Sequence, residues 1–210
     1  MKIISNNFAD NGRIPGAIAF AVPDTAAHIK LASNRNPHLQ WTGVPVGTKS
    51  FAVICHDRDV PSRADDVNKE GHVVPKTLPR VHFYHWVLVD LPPEVTAIRE
   101  GEFSDGVTPR GKKGPETLHG ARQGINDYTA WFKGDKDMEG NYFGYDGPCP
   151  PWNDEVLHHY VFTVCALDCP RLQLRGMFGG ADALAAMEGH ILDRASLTGI
   201  YTLNPALQSR

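Results

Sequence analysis

The chain has 210 residues, 41% hydrophobic and 21% charged, with four cysteines and a formal net charge of −3. Nothing in it approaches the ~18–20 consecutive apolar residues of a membrane-spanning helix, and no cluster of Lys and Arg interleaved with aromatics marks a nucleic-acid groove. Length and composition therefore predict one globular domain over residues 1–210, with neither membrane insertion nor nucleic acid among its interactions.

The opening segment, MKIISNNFADNGRIPG, has one lysine and only a two-residue apolar run before Ser5. An export signal needs an apolar stretch of ~7–15 residues, so the expected location is cytoplasmic. There Cys55, Cys149, Cys165 and Cys169 stay reduced. Cys165 and Cys169 are four apart, but no second such pair completes a zinc site, and neither a metal nor another cofactor is expected.

Apolar runs at Ile18–Val22 and Ile29–Leu31, with Trp41 close behind, are weak strand candidates. The first clear strand is Ser50–His56 (SFAVICH), dense in β-branched and aromatic residues. It runs into DRDVPSR, where Asp57 and Asp59 alternate ahead of a Pro-Ser turn. Two carboxylates so placed either face one site or cap the turn.

The next strand, His82–Leu91 (HFYHWVLVDL), places Phe83, His85, Val87 and Val89 on one face by the two-residue period. From Arg99 to Asp146 the sequence is long, irregular and rich in Gly, Lys and Asp. Trp131, Phe132, Tyr142 and Phe143 are the residues expected to pin it down, and the short basic run Arg110, Lys112, Lys113 reads as a solvated loop.

The proline-rich stretch YDGPCPP then feeds the strand Leu157–Leu167 (LHHYVFTVCAL), in which His158, Tyr160, Phe162 and Val164 share a face and His159 points the other way. Asp182–Arg194 has Leu184, Met187, Ile191 and Leu192 at helical spacing and predicts one amphipathic helix. Gly199–Leu203 closes the chain as a strand. No G-x-S-x-G, H-E-x-x-H, Walker or dinucleotide glycine motif is present, so the Asp, His and Tyr residues lack a nucleophile.

Three motifs in this order, DRDVPSR, HWVLVDLP and GPCPPWNDEVLHHYVF, resemble the phosphatidylethanolamine-binding protein family, in particular its bacterial Raf-kinase-inhibitor-like branch of YbhB/YbcL type. The resemblance extends from about Ser50 to Tyr201. It implies a mainly β fold, an antiparallel β-sandwich with few peripheral helices, one of them near the C-terminus. It also implies a small anion pocket formed by Asp57, His85, Pro151, His158 and Tyr160, with Asp59, Gly147 and Pro150 as secondary candidates.

In that frame the prolines hold one rim of the pocket in a fixed shape, and histidines donate to phosphate oxygens. Asp57 either fixes a histidine tautomer or pairs with the ammonium of a phosphoethanolamine-like ligand. Arg58 stands where the family usually has Pro, and His159 where an Arg commonly precedes the Tyr. Family members often have cis peptides at prolines, and Val60–Pro61 is the candidate.

The implied function is a non-enzymatic binding or regulatory protein for a phosphate or phosphoethanolamine-like anion, modulating a protein partner such as a kinase or protease. The alternative is a hydrolase of phosphoryl or carboxylic esters with His85 or His158 as acid/base and Asp57 orienting it. Homodimerisation through the aromatic insert at Trp131 and Phe132 is a further expectation.

Overall fold

A computed structural model of the protein describes residues 1–208. Four long strands form its centre: β6 (Ser50–Pro61), β7 (Arg80–Leu91), β10 (His158–Leu167) and β11 (Ile191–Tyr201). With the short β2 (Gly12–Arg13) and β9 (Arg122–Gln123) they make a six-stranded sheet in the order β2-β11-β10-β6-β7-β9. Every pairing in it is antiparallel except β11 with β2.

A second sheet, β1 (Lys2–Ile4), β5 (Leu39–Thr42) and β8 (Ala97–Ile98), is layered on one face, in the order β1-β5-β8. β3 (Ala21–Asp24) and β4 (His28–Leu31) form a separate hairpin.

The middles of β6, β7 and β10 are apolar on both sides because both faces of the sheet are covered there. Phe51, Val53 and Cys55 of β6, Trp86 and Leu88 of β7, and Phe162 and Val164 of β10 pack inward against Leu39, Trp41 and Ile98. Trp41 meets Phe51 edge-on at 5.2 Å. On the other face Ala52, Ile54, Val87, Val89, Cys165 and Leu167 lie under Phe178 and α2 (Gly180–Met187).

Sequence periodicity overextends that helix. α2 stops at Met187, Gly189 adopts φ +80° in the turn that follows, and Ile191 and Leu192 begin β11. Its buried face is Gly180, Ala183 and Met187, whereas Leu184 is exposed. Gly180 sits so close to the sheet that a Cβ would lie 2.3 Å from the Tyr84 ring. Pairing β11 along β10 satisfies a whole ladder of backbone groups, which outweighs one more turn of an amphipathic helix.

Other boundaries also shift. The first weak run begins its strand only at Ala21, since Ile18–Phe20 are buried in a turn. The strand expected to end at His56 continues to Pro61, opposite Arg80. In that extended ladder Val60–Pro61 is trans, and the cis peptide among the described residues is Gly114–Pro115.

The long segment from Arg99 to Asp146 is tightly self-packed, with Tyr142 and Phe143 buried. Lys112, expected in solvent, is instead largely covered, its side chain 13% exposed. Its amine meets the Asp146 carboxylate at 3.0 Å and donates to the Tyr145 carbonyl.

Candidate ligand-binding site

At the His158 end of β10 a cavity of about 310 Å³ lies between the central sheet, the β3–β4 hairpin and the surrounding loops. Asp57, His85, Pro150, Pro151, His158 and Tyr160 all line it. Phe20, Phe83, Tyr128, Phe132 and Met138 supply apolar walls, with exposed Arg63 at the mouth. Pockets that bind small molecules share this combination of apolar lining and a few convergent polar groups.

His85 reaches the cavity through a bulge. Cys55 pairs with Trp86 and His56 with Tyr84, which leaves His85 as an extra residue in β7. A bulge re-aims side chains: Phe83, His85, Trp86 and Leu88 face inward, while Val87 and Val89 lie under α2. The predicted common face of Phe83, His85, Val87 and Val89 is therefore broken at His85.

The backbone freed by the bulge is taken up by the long loop. The Asp146 amide donates to the His85 carbonyl at 3.0 Å, and the Asp127 amide to that of Tyr84 at 2.9 Å. His85 Nδ1 lies 2.8 Å from the Asp146 carbonyl oxygen. Asp146 is fully buried, its carboxylate accepting from Asn34 at 2.7 Å and Asn126 at 2.8 Å besides the Lys112 contact.

His158 has a different environment. Its Nδ1 is 2.6 Å from Asp57 and its Nε2 is 3.3 Å from Asp154, which in turn forms a two-pronged pair with Arg80 at 2.6 and 3.0 Å. Burial opposes charge on His158, but the two carboxylates raise its pKa to about 9. Burial likewise opposes ionisation of Asp57, and His158 overcomes it, holding the carboxyl below its usual range. The result is a buried row of alternating charge, Asp57, His158, Asp154, Arg80.

Both ring nitrogens of the charged His158 are thus committed to carboxylates. The expectation that it donates to a ligand does not fit this geometry: His158 lines the floor but holds Asp57 in place. Tyr160 keeps its proton, because burial and the Asp57 carboxylate push its pKa well above the ordinary tyrosine value.

The secondary candidates divide. Pro150 lines the cavity, whereas Asp59 does not. The register slips between Asp57 and Val60, and Asp59 accepts instead from the His159 amide and ring, each at 2.8 Å. Gly147 shapes the rim from behind: a Cβ there would lie 2.1 Å from the Ile18 carbonyl oxygen. This close approach lets the Pro148 carbonyl accept from the Phe20 amide at 3.0 Å.

Sequence reasoning missed Tyr128 and Asp154. Tyr128 stands over His85 edge-on at 5.5 Å and donates to the Gly147 carbonyl at 2.9 Å. Its only sequence signal was membership of the aromatic insert, whose Trp131 and Phe132 also line the cavity. Phe132 packs against Phe20 and Tyr128, whereas Trp131 stays 48% exposed.

Cys149 also lines the cavity, with burial pushing its thiol up to about 12. At the opposite end of β10, Asp168, Cys169 and His190 approach within 4.8 Å of one another. His190 Nδ1 is bonded to Asp168 at 2.7 Å.

An antiparallel sandwich with a ligand-sized cavity at one end of its central strands defines a class, and a family model confirms it. The model for phosphatidylethanolamine-binding proteins matches residues 4–202, and the chain belongs to that family. It is 32% identical over 201 residues to the UPF0098 protein of Methanothermobacter thermautotrophicus, spanning 96% of this chain and 98% of that one.

The UPF0098 protein YbhB of Escherichia coli is 30% identical over 202 residues, spanning 96% and 100%. The crystal structure of E. coli YbcL, described as a member of the mammalian PEBP family, aligns with a TM-score of 0.67 and 25% identity, over 96% of this chain and 97% of that one.

Proposed function

We propose that the protein is a non-enzymatic ligand-binding protein whose cavity takes a small molecule with a phosphate or phosphoethanolamine-like head against His85 and Tyr160. Cavity occupancy then serves as the signal to a protein partner such as a kinase or protease. One observation carries this reading: a walled cavity of about 310 Å³ ends on a buried histidine whose Nε2 has no partner among the described residues. Apolar walls suit a ligand with a hydrocarbon or aromatic body behind that head.

Catalysis is disfavoured by the same geometry. His158, the residue best placed for a carboxylate–histidine dyad, has no free nitrogen, and the Cys149 thiol stays protonated at neutral pH. Asp57 fits the tautomer-fixing role better than that of an ammonium partner, since it already accepts from His158 and from the Asp59 amide at 2.8 Å. The absence of any disulfide among the described cysteines is compatible with a cytoplasmic setting.

Phosphoethanolamine titrated against amide and histidine-ring NMR signals at mildly acidic pH tests the reading. Saturable shifts are expected around Asp57, His85 and Tyr160, and their loss in His85→Ala. No shifts at millimolar ligand would overturn it. A panel of phosphate and carboxylic esters completes the test: turnover abolished by His85→Ala would establish an enzyme instead.

A further inference from the structure

We infer that the cavity takes up an anion together with one proton, shared between His85 Nε2 and a ligand oxygen, and so selects acids in their singly charged or neutral form over dianions. This rests on the ligand reading above and goes beyond it to the protonation state of the ligand.

The geometry begins at the other ring nitrogen. A carbonyl oxygen only accepts, so His85 Nδ1, at 2.8 Å from that of Asp146, carries the proton. In the neutral ring Nε2 is then a bare lone pair, and it is this atom that faces the cavity without a partner. A fully deprotonated anion brought to it meets lone pair against lone pair.

The charged groups around that lone pair are already engaged: at the mouth Arg63 pairs with Asp65 at 3.4 Å, and the Cys149 thiol on the rim loop stays protonated and is a weak donor. From β6 comes the Asp57 carboxylate, and from β10 come Tyr160, whose hydroxyl is engaged by Asp57, and the charged His158, whose two N–H groups are spent on Asp57 and Asp154. From the loop comes Asp146, its charge matched by Lys112. From α1 (Tyr128–Trp131) comes Tyr128, whose hydroxyl is spent on the Gly147 carbonyl.

The cations beside the floor are therefore each paired. Burial also keeps the His85 pKa below the ordinary histidine range despite Asp57 and the Asp146 contact, so the His85 ring is neutral at pH 7. One added proton resolves the conflict. Arriving on the ligand it is donated to Nε2; arriving from solvent it makes His85 a cation that donates to the ligand.

Isothermal titration from about pH 5.5 to about pH 8, in pairs of buffers with different ionisation enthalpies, tests this with two ligands. Phosphoethanolamine, a monoester with a second pKa of about 6, can bring its own proton; glycerophosphoethanolamine, a diester, cannot. Uptake of close to one proton is expected for both at the upper end, with affinity falling about tenfold per pH unit. Towards acid the monoester profile flattens near its own pKa, while the diester profile follows His85.

His85→Gln replaces the titrating ring by a fixed amide donor, and its binding is expected to be flat in pH with no buffer-dependent heat. Wild-type binding that is independent of pH and buffer would overturn the proton coupling while leaving the ligand site intact. No binding of either ligand at any pH would overturn both.

Discussion

At His158, burial alone would strip the proton from the ring, and the carboxylates of Asp57 and Asp154 reverse that outcome, to a pKa of about 9. Its unfolded value is 6.5, so the raised pKa contributes stability that is complete below about 6.5 and lost as pH rises through about 9. The contribution is on the order of 3 kcal/mol. Asp57 acts in the opposite sense: its depressed pKa stabilises above the unfolded value of 3.8 and that contribution disappears on acidification.

Thermal melts across pH 4 to 10 should thus show a plateau with a decline on its alkaline side. Asp57→Asn should flatten that decline and lower the stability measured in urea by about 3–5 kcal/mol, because it breaks a buried charged pair. Each principal site residue named from the sequence does line the cavity. Their division of labour was not legible, because Asp154, the residue that engages the second nitrogen of His158, lies in a loop where no periodicity reports where a side chain points.

Among the elements, the strands were read most accurately and their irregularities least. Ser50–His56, His82–Leu91 and Leu157–Leu167 are close to β6, β7 and β10, because β-branched and aromatic runs covered on both faces leave no competing reading. The bulge at His85 lies outside what a two-residue period can express, since it is set by which loop carbonyls and amides come to meet β7. The helix at 182–194 was overextended for a related reason: Ile191 and Leu192 fit helical spacing, but β10 offered them a ladder.

Gly147 tests how far the rim depends on close packing. Gly147→Ala should force the 147–151 loop away from Ile18, at about 1–3 kcal/mol. The same displacement should weaken ligand binding several-fold, read by parallel urea unfolding and ligand titration.

On the scale of the whole molecule, the face remote from the cavity is tied together by one cation. Arg122 on β9 is buried, donates to Asp90 at 2.5 Å and reaches the carbonyls of Leu172 and Leu174 at 2.9 and 2.7 Å. Arg122→Leu leaves Asp90 charged and unpaired and should cost about 3–5 kcal/mol. Ligand affinity should be unchanged, which separates this structural pair from the site.

The strand order noted above places β6 between β7, its near neighbour in sequence, and β10, which follows about a hundred residues later. While the chain is being made, β6 and β7 can pair as soon as both have emerged, but the other edge of β6 stays bare until β10 is synthesised. A bare apolar strand edge invites pairing with other chains. The half of the cavity floor supplied by His158 and Tyr160 arrives on that same late strand. Under the proposed binding role, a ligand would stabilise the finished protein, yet it would offer the growing chain no protection during the interval when that edge is bare.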